Sequence, residues 1–106
     1  MTMPDIAISP VEWEIVRSIL QRMLPDREVW AFGSRVRHNH KPYSDLDLAV
    51  IGEHALTMQQ LAALSEAFSE SDLPWKVDVV DWFSATEAFR RIIESEKVVL
   101  KKISFD

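Results

Sequence analysis

A chain of 106 residues carrying a net charge of −5 has the size of one common domain and can bury roughly 60 to 70% of the surface its unfolded form exposes. Its 47% hydrophobic and 27% charged residues fit an ordinary folded domain rather than a disordered one, and its acidity speaks against an extended nucleic-acid surface, which needs many phosphates neutralised. No apolar stretch approaches the ~20 residues of a membrane-spanning helix, and the lack of cysteine excludes disulfides, thiolate metal sites and a cysteine nucleophile. The expectation is one domain over residues 1–106, cytoplasmic, with any metal held by oxygen or imidazole.

Taken in chain order, Ser9, Pro10 and Glu12 form a helix start: a serine cap, proline at the first helical position and a glutamate closing a capping box. Val11, Ile15, Ile19, Leu20 and Met23 follow at helical spacing, so the helix should run to Leu24 with these residues on its core face. A short strand, Glu28 to Phe32, comes next and is stopped by Gly33, one of only two glycines. Arg35, Arg37 and Lys41, with His38 and His40, then make a cationic loop free of acids, which on an acidic protein suits a small polyanion. A second strand, Asp45 to Ile51, should place Asp45 and Asp47 on one side. Thr57 and Gln60 open a second helix with Leu61, Leu64 and Phe68 inward. Trp75 to Trp82 reads as a third strand carrying Asp78 and Asp81, which face opposite ways. Ser84 with Glu87 predicts a third helix to about Ser95, with Ala88, Phe89, Ile92 and Ile93 inward. Val98 to Leu100 fits either an edge strand or the last helical turn, and the closing lysines read as exposed chain. The four tryptophans read as core or boundary residues. Strands alternating with helices predict an α/β or α+β domain, one sheet with helices on a face; the strand order is left open.

The chemistry concentrates between Trp30 and Val50. A Gly33–Ser34 turn offers backbone N–H groups and a hydroxyl to a phosphate chain. Carboxylates about 5 Å apart repel by roughly 3 kcal/mol per pair at an effective dielectric near 20, so Asp45 and Asp47 call for a cation. An oxygen-only set suits Mg²⁺ or Mn²⁺, which completes its shell with water and substrate phosphate. Each half of this signal is weak alone; the pair flanked by strands is strong. A haloacid-dehalogenase-like site would put its aspartates after a strand's apolar run, and an EF-hand would need a closing glutamate that is missing.

Gly33–Ser34, ten residues, then Asp45–Leu46–Asp47, with a later apolar–Asp78–apolar strand, resembles the nucleotidyltransferase superfamily that shares its fold with DNA polymerase β. The size makes it most similar to the minimal nucleotidyltransferases (MNT), antitoxins paired with HEPN-domain toxins. The resemblance covers about Phe32 to Asp81 and implies a small mixed sheet with helices packed on one face. It implies that Gly33 and Ser34, with Arg35 and Arg37, bind ATP, and that Asp45, Asp47 and Asp78 are the catalytic ligands of two Mg²⁺ ions (or Mn²⁺). Asp78 matches the third carboxylate better than Asp81 because it lies within its strand, and Lys97 stands where the family often has glycine.

By that likeness the chain transfers AMP from ATP to a hydroxyl, a tyrosine in the resembling antitoxins, of a partner HEPN toxin with which it forms a hetero-oligomer. No room is left for an acceptor-gripping domain, so the acceptor would arrive on another protein. The competing reading is a non-catalytic antitoxin that neutralises its partner by contact alone.

Overall fold

Ser9 opens the first helix by the reciprocal bonding its spacing predicts: Ser9 Oγ accepts the Glu12 N–H at 3.2 Å, and Glu12 Oε1 accepts the Ser9 N–H at 3.0 Å. The computed structural model describes residues 3–103, and in it this helix, α1, spans Pro10–Met23. There follow β1 (Glu28–Phe32), a one-turn helix α2 (Ser34–Arg37), β2 (Leu46–Ile51), α3 (Met58–Ser69), β3 (Val77–Asp81), a 3₁₀ turn (Trp82–Ser84), α4 (Glu87–Glu96) and β4 (Val98–Lys101).

The strands form one mixed sheet in the order β3-β2-β1-β4. β1 runs antiparallel to β2 and β4, while β2 and β3 are parallel and joined by the crossover through α3. The segment at Val98 is an edge strand, with Val98 opposite Ala31 and Val99 opposite Trp30.

Strand alternation sends Val29, Ala31, Leu46, Leu48 and Val50 to one face, where Trp13, Val16 and Leu20 of α1 and Leu64 and Phe68 of α3 close the main core. The opposite face carries Trp30, Phe32 and Ala49, packed with Ile93 of α4. Edge-on ring pairs reinforce it, Trp30 with Trp82 at 5.1 Å and Phe32 with Phe89 at 5.7 Å between centroids. The expected small mixed sheet is present. Helices on one face describes α1 and α3; α4 lies on the other, because Trp30 and Phe32 present too much aromatic surface to be left in water.

Local expectations shift for physical reasons. Val11 is 73% exposed, since α1 turns Trp13 and Val16 inward and the larger apolar area wins the core stripe. The last helix does not begin at Ser84. Asp81 accepts from Ser84 Oγ at 3.0 Å and from the Phe83 N–H at 3.3 Å, winding that segment into the 3₁₀ turn, and Thr86 becomes the cap by accepting the Phe89 N–H at 3.2 Å. Within α4 Phe89 and Ile93 turn inward, while Ala88 and Ile92 are exposed. Lys101 is not exposed chain either: its ammonium donates to the carbonyls of Leu24 at 2.9 Å and Arg27 at 2.6 Å, and partial burial lowers its pKa. Trp13, Trp30 and Trp75 are buried, as a core role requires.

Ile93 is fully buried whereas its neighbour Ile92 is 54% exposed. In urea denaturation Ile93→Ala should cost about 2 to 5 kcal/mol, and Ile92→Ala should stay within about 0.5 kcal/mol of the parent protein.

Candidate nucleotide and metal site

The pairing of β1 with β2 sets Phe32 opposite Asp47, so the residue after the strand, Gly33, arrives beside the Asp47 carboxylate. On the other side of β2, the parallel register sets Asp78 beside Asp47. Residues paired across strands share a face, so Asp47 and Asp78 look out on the side that α4 partly covers. Asp45 stands one position before β2, which begins at Leu46 rather than at Asp45, and it is exposed at the mouth.

Gly33 is required for two reasons. Its φ of 85° lies in the region that L side chains avoid, and a Cβ there would collide with Asp47 Oδ2 and stand 3.1 Å from Asp47 Cγ. Close approach of the turn to the carboxylate therefore depends on a bare Cα. From Ser34 the chain winds into α2, where the N–H groups of Val36 and Arg37 both bond back to Gly33 O at 3.1 Å. The N–H groups of Ser34 and Arg35 have no acceptor within the helix, as at any helix start.

Burial, the Asp78 charge and then the Asp45 charge push the Asp47 carboxyl up from its ordinary 3.8 to about 6; Arg37 opposes the rise and Glu96 adds to it. Among the described residues no three acidic or histidine side chains form a ready-made metal cage. The donor set nevertheless fits a hard divalent cation. It is all oxygen, Mg²⁺ uses one or two carboxylates with phosphate and water, and such a charge would offset the burial and the Asp78 and Asp45 repulsion that raise the Asp47 pKa.

The two arginines after the turn have separate fates. Arg37 is half-exposed at the site, its Nη1 donating to Glu96 Oε2 at 2.8 Å and Oε1 at 3.0 Å. Arg35, expected at the nucleotide, points away from it and is only 4% exposed. Its guanidinium donates to the carbonyls of Ala7 at 2.8 Å, Ser44 at 2.9 Å and Pro42 at 3.1 Å, and lies 4.4 Å from the centre of the Trp75 ring. An always-charged group this buried is kept by its partners, so Arg35 clamps both ends of the basic loop and does not meet a ligand through its side chain. His38, in the left-handed region, ends α2 and contacts Asp5 at 3.2 Å, while His40 and Lys41 are exposed. Asp81 is spent on the Leu56 N–H and the 3₁₀ turn, which leaves Asp78 as the strand carboxylate at the site. Glu96 is the member that sequence reasoning missed: its carboxylate also accepts the Gly33 N–H at 2.7 Å, from 63 residues away. No local spacing signals such a contact.

A glycine turn abutting strand carboxylates suits a phosphate chain and a divalent cation together. The chain belongs to the nucleotidyltransferase domain family, which matches residues 14–104. It is 53% identical over 98 residues, 92% of this chain and 86% of the relative, to the probable protein adenylyltransferase MntA of Haemophilus influenzae (strain ATCC 51907 / DSM 11121 / KW20 / Rd). Among solved structures it resembles a toxin–antitoxin complex crystallised with AMP-PNP, with a TM-score of 0.73 at 23% identity over 85% of this chain and 73% of that one. It also resembles the tri-AMPylated Shewanella oneidensis HEPN toxin in complex with its MNT antitoxin, with a TM-score of 0.65 at 22% identity over 85% of this chain and 69% of that one. At these identities the two structures establish the shared fold.

Because the folded protein holds the Asp47 proton up to about pH 6 whereas the ordinary value is 3.8, ionising Asp47 costs stability as pH rises between them. Metal-free Asp47→Asn should therefore match the parent below pH 4 and exceed it at pH 7 by about 1 kcal/mol after solvent screening, as read by urea denaturation at both pH values.

Proposed function

We propose that this chain is one minimal domain acting in the cytoplasm as an adenylyltransferase antitoxin, which moves AMP from ATP to a hydroxyl of a partner HEPN toxin. The observation that carries the reading is the single constellation in which the Gly33 turn, Asp47 and Asp78 meet at the ends of three strands. The family membership, the probable adenylyltransferase relative, and the fold shared with toxin–antitoxin complexes that include an ATP analogue and an AMPylated toxin support it.

In this reading the N–H groups of Ser34 and Arg35 and the Ser34 hydroxyl receive the terminal phosphates, and Arg37 faces their charge. Asp45, Asp47 and Asp78 would hold two Mg²⁺ ions, which when bound neutralise the triphosphate and lower the pKa of the acceptor hydroxyl. Asp78, exposed on the edge strand, would also assist in taking the acceptor's proton. The acceptor oxygen bonds to the α-phosphorus, the bond from that phosphorus to the bridging oxygen breaks, and pyrophosphate leaves. Open solvent over Asp45 and Asp78 leaves space for an acceptor on another protein.

Incubation with α-labelled ATP, Mg²⁺ and the purified HEPN toxin should label the toxin. Asp45→Asn or Asp47→Asn should reduce labelling at least ~100-fold with the melting transition retained. Undiminished labelling by both variants would remove the metal assignment, and an unlabelled toxin that is still neutralised would favour an antitoxin acting by contact alone.

A further inference from the structure

Glu96 is the last residue of α4, and its carboxylate reaches the start of the glycine turn. Oε1 accepts the Gly33 N–H at 2.7 Å, and the two oxygens accept from Arg37 Nη1 at 3.0 and 2.8 Å. The Glu96 side chain is 17% exposed against 47% for Arg37, so the carboxylate is the fixed end of the pair and the guanidinium the end in solvent. Glu96 is also held along the chain in both directions. Ile93, three residues back, is buried among Trp30, Phe32 and Ala49. On the other side, Lys97 Nζ stands 3.8 Å from the centre of the Trp30 ring and Val98 pairs with Ala31. A residue clamped in this way acts as a support.

The donors of the turn are divided. The Gly33 N–H goes to Glu96 and those of Val36 and Arg37 go to Gly33 O, and among the described residues the N–H groups of Ser34 and Arg35 have no acceptor, so they are the donors left for a ligand. An incoming phosphate needs no donor that Glu96 already uses. We propose that Glu96 is a positioning residue for nucleotide binding: it fixes the glycine turn and aims Arg37, so that the phosphate meets a preformed seat. This rests on the reading of the turn as the nucleotide's phosphate site and extends it to the α4–β4 junction.

Two effects oppose each other here. Glu96 adds a negative charge near the seat of a polyanion, which weakens binding. Its pairing with Arg37 offsets that charge, while its removal would free the Arg37 side chain and the turn, whose ordering the nucleotide would then have to supply. Positioning is the larger effect because both groups would be loosened at once.

The test is calorimetric titration of Mg–ATP into the parent protein, Glu96→Gln, Glu96→Ala, Arg37→Ala and the Glu96→Ala, Arg37→Ala double variant, each with a melting curve. Glu96→Ala should weaken ATP binding roughly tenfold, and Glu96→Gln, which keeps an acceptor for the Gly33 N–H, should recover part of it. Arg37→Ala should weaken binding several-fold in the parent background and add nothing once Glu96 is alanine. Equal or tighter ATP binding by Glu96→Gln would overturn the proposal even if Glu96→Ala fails to fold, as would full additivity with Arg37→Ala. A parent protein that binds no ATP would defeat the nucleotide reading itself, a result distinct from a parent that binds and Glu96 variants that bind equally well.

Discussion

The register of β2 is the constraint on which the rest depends. Asp47 sits opposite Phe32 on one side and beside Asp78 on the other, and either pairing slipped by one residue would turn a carboxylate into the core formed by α1 and α3. Leu46, Leu48 and Val50, all fully buried, pin that register from the opposite face. The apolar half of the strand thus specifies where the polar half points. Gly33 completes the arrangement, because a bare Cα lets the turn close against Asp47 without displacing the strand.

Bringing carboxylates together has an energetic cost. Burial and the charges of Asp78 and Asp45 disfavour the ionised form of Asp47, so this end of the sheet subtracts from stability at neutral pH. The main core and the aromatic cluster under α4 offset it, and α4 also delivers Glu96 to the turn. Structure and site are therefore coupled through one helix: its buried Ile93 anchors the position from which its last residue touches Gly33 and Arg37. Strain of this kind is common where a bound ligand is meant to supply the missing charge.

Much of this was legible in the residues themselves. The Ser9 and Thr57 capping boxes, the strand at Glu28, the break at Gly33 and the alternation through Asp47 are local signals, and each appears in the structure. What stayed hidden was non-local. Arg35 and Arg37 are two apart and chemically alike in sequence, yet one is buried against Trp75 and three carbonyls while the other reaches the site, a division made by the N-terminal segment folding over the loop. The start of α4 is ambiguous in the sequence because Ser84 and Thr86 are both competent caps, and Asp81 captures the first. Glu96 could not be found from spacing, since its partners lie 63 and 59 residues earlier.

The most direct test of the central claim, that the Gly33 turn and the strand aspartates form one nucleotide and metal site, is calorimetric titration of ATP with and without Mg²⁺ into the parent protein and an Asp45→Asn, Asp47→Asn double variant. Binding that requires Mg²⁺ and is lost in the double variant is the expected result. ATP binding that is unaffected by Mg²⁺ and by both substitutions would contradict it.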